Sequence, residues 1–116
     1  MFRRLPNYLR TFRKKAGLSQ EDVALLLGCV KGSKVSRYEQ FVRQPTLATA
    51  LCCEALFGVP LSELFGGMYD QAYEAVLVRA RRLLADELQK PPGSAHARTR
   101  LFLEELLSKN PSPYKR

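Results

Sequence analysis

Three side chains in the first third of the chain are spaced to act together: Ser33, Lys34 and Arg37. At helical periodicity they share one side of a short helix, while Val35, Tyr38, Glu39 and Val42 share the other. A hydroxyl, an ammonium and a guanidinium supply hydrogen-bond donors and positive charge. That is the chemistry of recognition, not of bond breaking. The sets that break bonds are missing from the sequence: there is no Ser/His/Asp combination, no pair of carboxylates on one face and no phosphate loop. His96 stands alone, without a Cys, Asp or Glu at metal-ligand spacing. The expectation is a protein that is not an enzyme and uses no metal and no cofactor.

Charge points the same way. Lys and Arg number 19 against 11 Asp and Glu, a formal net charge of +8 over 116 residues. Residues 1–45 hold ten of the cations against Glu21, Asp22 and Glu39, so +7 of the excess lies there, and residues 46–116 are near neutral. A surface this basic attracts polyanions, and the attraction belongs to the first 45 residues. The longest apolar run, Val23 to Val30, is eight residues and is too short for a membrane span. The start of the chain is basic but has no apolar stretch, so no signal peptide is expected. Cys29, Cys52 and Cys53 are odd in number with two adjacent, which fits neither a disulfide framework nor a zinc site. These readings place the protein in a reducing compartment, the cytoplasm.

The elements that must position the three side chains are all helical, because no segment alternates apolar and polar and β-branched residues do not cluster. Leu5, Leu9, Phe12, Arg13 and Ala16 form the stripe of a first helix, stopped by Gly17. Ser19 is an N-cap with Asp22 three residues on, and Val23, Ala24 and Leu27 line a second helix ended by Gly28. A third helix covers about residues 32–40. Pro45-Thr46 opens a fourth to Phe57, stopped by Gly58, and Pro60 opens a short fifth through Leu61, Leu64 and Phe65. Gly66-Gly67 is a hinge candidate. Residues 68–90 then carry a stripe of Tyr69, Tyr73, Val76, Ala80, Leu83 and Leu84, and residues 95–108 one of Phe102, Leu103, Leu106 and Leu107. The expected division is residues 1–67 and 68–116, with a frayed tail from Asn110.

Two short helices meeting at a glycine, the second with an apolar inner face and a small cationic outer face, read as a helix-turn-helix. Ala24 fits, since closely crossing helices need a small side chain at their contact. The flanking text strengthens the reading: Leu9 to Ala24, Gly28, Val35-Ser36-Arg37-Tyr38-Glu39, Pro45-Thr46-Leu47, and Phe57 to Leu64. Residues 9–65 resemble the phage-repressor (Xre-like) helix-turn-helix family. The resemblance implies a five-helix DNA-binding domain, and with the two later helices read from periodicity the expected fold is all-α, that domain followed by a C-terminal two-helix extension. The resemblance also implies that Gln20 meets the DNA backbone and that Ser33 and Arg37 read base edges. Lys31, Lys34 and Arg43 then read as phosphate contacts, and Gly32 completes the DNA-binding set.

One pair follows from the residues as well as from the resemblance. Arg13 lies on the apolar stripe of the first helix and Glu39 on that of the third, and two opposite charges facing one core must pair. Three departures from the family pattern stand out. The stretch from Gly28 to Val35 is one residue longer, Phe41 replaces the usual Gly after the third helix, and Glu54 stands where the fourth helix usually has Ala. The arm Phe2-Arg3-Arg4 and the pair Lys14-Lys15 read as solvated charge. Arg79, Arg81 and Arg82 read likewise. Cys53 is expected in the core and Cys52 outside it.

The whole implies a transcriptional regulator of double-stranded DNA, associated with the nucleoid and dimeric through residues 68–116 on a palindromic operator. Packing of those helices in cis is the alternative to dimerisation. The alternative functions are the DNA-binding antitoxin of a toxin–antitoxin pair and a protein-interaction adaptor on the same fold. The cationic outer face of the third helix argues against the adaptor.

Overall fold

Local chain signals decide where each helix starts and stops. In the computed structural model, which describes residues 4–29, 31–91 and 93–109, these signals delimit seven helices and no strand among the described residues. They are α1 (Leu9–Ala16), α2 (Gln20–Leu27), α3 (Gly32–Glu39), α4 (Leu47–Phe57), α5 (Leu61–Leu64), α6 (Gly66–Leu88) and α7 (Ser94–Lys109). Phe2 and Arg3 of the expected arm, Val30 of the lengthened turn and the tail from Asn110 lie outside the described residues.

Ser19 and Asp22 start α2 reciprocally: the Ser19 hydroxyl accepts the Asp22 N–H and the Asp22 carboxylate accepts the Ser19 N–H, each at 3.0 Å. These bonds hold the Asp22 carboxyl below the usual aspartate range. Thr46 caps α4 through the Thr49 N–H at 3.2 Å. At the other ends, Gly17 and Gly28 turn left-handed, and each glycine's own N–H and that of the residue after it fold back onto the last helical carbonyls. Helix α3 closes the same way without a glycine. Phe41 takes φ 64°, its N–H donating to the Tyr38 carbonyl at 3.1 Å and that of Val42 to the Arg37 carbonyl at 3.0 Å. That turn ends the helical register, so Val42, expected on the inner face of α3, is 71% exposed.

The chain forms two compact units that divide after Tyr69. In the N-terminal unit the core is Leu9, Val23, Ala24, Leu27, Val35, Tyr38, Cys53, Leu64 and Phe65. Ala24 is buried where α2 crosses α3, the most extensive helix contact. Cys53 is fully buried, and burial pushes its thiol up to about 12, so it behaves as a small hydrophobe, while Cys52 is exposed. Leu5 does not join the α1 stripe. Asn7, buried, accepts the Leu9 N–H on its Oδ1 and donates its Nδ2 to the Tyr38 carbonyl, which starts the helix at Leu9 and leaves Leu5 outside, about half exposed. Gly66-Gly67 is a helix start instead of the expected hinge. The Gly67 N–H donates to the Leu5 carbonyl at 2.7 Å, and a Cβ on Gly67 would lie 2.6 Å from the Arg4 carbonyl oxygen.

In the C-terminal unit the buried residues are Asp70, Leu77, Ala80, Glu87 and Leu103. The buried stripe of α6 is therefore rotated in part from the expected one: Ala80 is shared and Tyr73 and Leu84 are half-buried, whereas Tyr69, Val76 and Leu83 are exposed. The expected stripe left out apolar Leu77 as well as Asp70 and Glu87, and all three are buried. Glu87 accepts from Lys90 Nζ at 3.1 Å and pairs with His96 Nδ1 at 2.6 Å, the Lys90 bond contributing most to holding its carboxyl below the usual range. Arg100 donates to the carbonyls of Glu87 and Lys90, closing the end of α6. Leu103 is buried on α7 and Leu106 and Leu107 are half-buried, but Phe102, expected inside with them, is 65% exposed.

Candidate nucleic-acid interface

The site begins with what lies beneath it. Arg13 of α1 grips Glu39 of α3 at two points, Nε to Oε2 at 2.6 Å and one terminal nitrogen to Oε1 at 3.1 Å, and its other terminal nitrogen donates to the Leu18 carbonyl at 3.0 Å. The two side chains are 12% and 4% exposed. The hydrogen bonds to Glu39 raise the Arg13 pKa further above its usual value, so the guanidinium is charged at every working pH. Gln20, the first residue of α2, adds a third donor to Glu39, Nε2 to Oε1 at 3.1 Å. The base of α3 is thereby tied to α1 and α2 through one carboxylate.

With Val35 only 1% exposed and Tyr38 and Glu39 buried, the rotation of α3 is set, and its other side faces out. Ser33 and Arg37 are exposed there and Lys34 is half-buried. Lys31 precedes the helix and Arg43 follows it, and these five side chains line one shallow hollow of about 280 Å³. Arg43 reaches the hollow because the left-handed Phe41 folds the chain back, so that the Arg43 N–H donates to the Arg37 carbonyl at 3.3 Å. Phe41 thus adopts a left-handed conformation that favours Gly, with the strain a side chain carries there.

Two of the expected contact residues stand apart from the hollow. Gln20 is half-buried with its amide on Glu39. Gly32 is buried, and its N–H is held by both oxygens of Glu21, each at 3.2 Å. Glu21 went unnoticed in the sequence. The signal was Lys31, a residue that cannot cap a helix, in front of a glycine; a helix that begins so must find its acceptor elsewhere. Glu54, the departure noted on the fourth helix, has a structural role: its Oε1 accepts the Leu61 N–H at 3.0 Å and starts α5. Arg4 is no free arm, since its guanidinium covers Gly66, where a Cβ would lie 3.0 Å away. Lys14 and Lys15 are exposed, with Lys15 Nζ 5.5 Å from the Phe12 ring centre.

Among the described residues no group of three or more His, Cys, Asp or Glu is placed to hold a metal ion, and no helix is long and apolar enough to cross a membrane. Residues 9–64 match the family described as Helix-turn-helix. No curated protein and no solved structure matches the chain.

Proposed function

Residues 9–64 belong to the helix-turn-helix family, a DNA-binding family, and from that premise we propose that the chain is a sequence-specific transcriptional regulator, dimeric on a two-fold operator. The observation that carries the proposal is the hollow on the outer side of α3, where Lys31, Ser33, Lys34, Arg37 and Arg43 converge over a buried ion pair. Arg37 pairs with guanine O6 and N7, and Ser33 bonds a neighbouring base edge. Lys31, Lys34 and Arg43 neutralise phosphates and fix the register of α3 in the major groove. Gln20 gives one amide N–H to Glu39 and has a second for a backbone phosphate. Gly32, buried with its N–H on Glu21, supports the interface from beneath.

Dimerisation is supported by the C-terminal unit, which exposes Val76, Leu83, Leu101 and Phe102. A single recognition helix reads few base pairs, so pairing two copies supplies the missing length of site. In this reading the protein works in the cytoplasm, on the nucleoid.

Selection of the full chain against random duplexes, at several salt concentrations, tests the proposal. The expected outcome is a palindromic motif with half-sites about 10 bp apart. Binding that enriches no motif and weakens steeply with salt would reduce the protein to a nonspecific binder. Retention of function by a chain lacking the α3 cations would favour the adaptor instead. Light scattering of the full chain should give a dimer, and Phe102→Glu a monomer of unchanged helicity.

A further inference from the structure

Helix α3 is held at both of its ends by adjacent residues of α2. Gln20 reaches Glu39, the last residue of α3, and Glu21 receives the N–H of Gly32, the first. The local chain offers nothing at that first turn: Lys31 is extended and makes no side-chain cap bond. Gly32 is also shaped to this contact. A Cβ there would lie 2.7 Å from the Glu21 carboxyl carbon and 3.1 Å from the Glu21 backbone nitrogen. The nearest obstacle is the end of a flexible side chain, so an added methyl would displace the carboxylate first, and the Glu21 backbone would have to give by a few tenths of an ångström.

Resting on the DNA-binding reading above, we propose that Glu21 is a positioning residue for base recognition. It caps α3 from the neighbouring helix and so fixes the angle at which Ser33 and Arg37 meet the bases. The residue added between Gly28 and Val35 makes this necessary, because it lengthens the turn by which the end of α2 would otherwise dictate the start of α3. The carboxylate has a second consequence. It neutralises the partial positive charge at the start of α3, so that helix end does not collect phosphates indiscriminately.

The two consequences separate in a pair of variants. Glu21→Gln keeps an acceptor and loses the charge. Its ratio of affinities for selected over random duplex should stay within about twofold of wild type, while binding to every duplex strengthens and its salt dependence steepens. Glu21→Ala loses both, and the ratio should fall about five- to tenfold, the scale of a lost helix cap. Gly32→Ala should lower the ratio as Glu21→Ala does, and the double variant should fall no further than either alone. An unchanged ratio in Glu21→Ala, or additive losses in the double variant, overturns the role of Glu21. A wild-type chain that selects no sequence at all overturns the regulator reading instead. In that event thermal melting of the same four proteins still decides the contact: Gly32→Ala must lower the melting temperature less in the Glu21→Ala background than in wild type.

Discussion

In the N-terminal unit four carboxylates work at helix ends or under α3, Asp22 on Ser19, Glu21 on Gly32, Glu54 on Leu61 and Glu39 on Arg13, and the cations of α3 face outward. In the C-terminal unit Glu87 is buried with Lys90 and His96 upon it, while Leu101 and Phe102 face outward. Both units therefore bury acidic groups, but what they leave at the surface differs. One presents charge on a helix pinned at both ends, ready for a polyanion. The other exposes Val76, Leu101 and Phe102 beside its own cations, and apolar side chains of this kind, which the N-terminal unit also exposes at Leu25, Leu26 and Leu47, gain from another apolar surface.

The comparison breaks most visibly at Glu39. Glu39→Ala leaves the Arg13 guanidinium largely buried without its carboxylate, and should cost about 3–5 kcal/mol by urea denaturation. The loss should appear in amide exchange of α1 to α5 and spare α7. A loss below about 1 kcal/mol would mean that the pair behaves as a surface contact. Next in size is recognition itself. Arg37→Ala should remove about 1–3 kcal/mol of preference at one base position, whereas Lys34→Ala should weaken all sequences alike and reduce the salt slope by about one. Equal behaviour of the two variants would erase the distinction between reading and anchoring within the hollow.

A smaller gain is expected at the end of α3. Phe41→Gly removes a side chain from a left-handed backbone and should stabilise the N-terminal unit by about 1 kcal/mol, provided the half-exposed ring is not itself a contact. Thermal melting with and without DNA separates those effects. The least is expected of acid. Glu87 has a lowered pKa in the folded chain, so its contribution is complete above the ordinary glutamate value of 4.5 and is lost as pH falls through the lower folded value. Exchange of the α7 amides should accelerate over that window in wild type and not in Glu87→Gln. Asp22 has the same sign in α2, so the pH response alone does not distinguish the units, and the variant does.

What could be read from the sequence was what acts over one turn of chain. The Ser19/Asp22 box and the stops at Gly17, Gly28 and Gly58 are such signals, and each stands where it was expected. Arg13 and Glu39 were legible across 26 residues only because a charge on each apolar stripe has so few ways to be satisfied. Glu21 and Glu54 were not, since they sit at exposed positions where a carboxylate needs no explanation, and their acceptor role appears only when another helix start is brought to them. Val42 was misplaced by extending helical periodicity through a residue that ends it. The α6 stripe was misplaced in part because Asp70 and Glu87, polar in the sequence, lie inside, as does Leu77.

The Arg13–Glu39 link also bears on the order in which the molecule assembles. The closures at Ser19, Gly17 and Gly28 join residues three to five apart and need little chain entropy. The guanidinium meets its carboxylate only after 26 residues have been gathered into a loop. An interaction formed that late acts mainly as a latch on the finished state, setting how rarely α3 comes away from α1 more than how quickly the helices find each other. In the proposed regulator a helix held in this way keeps its shape between encounters with DNA, so that little of the binding free energy goes into re-forming it.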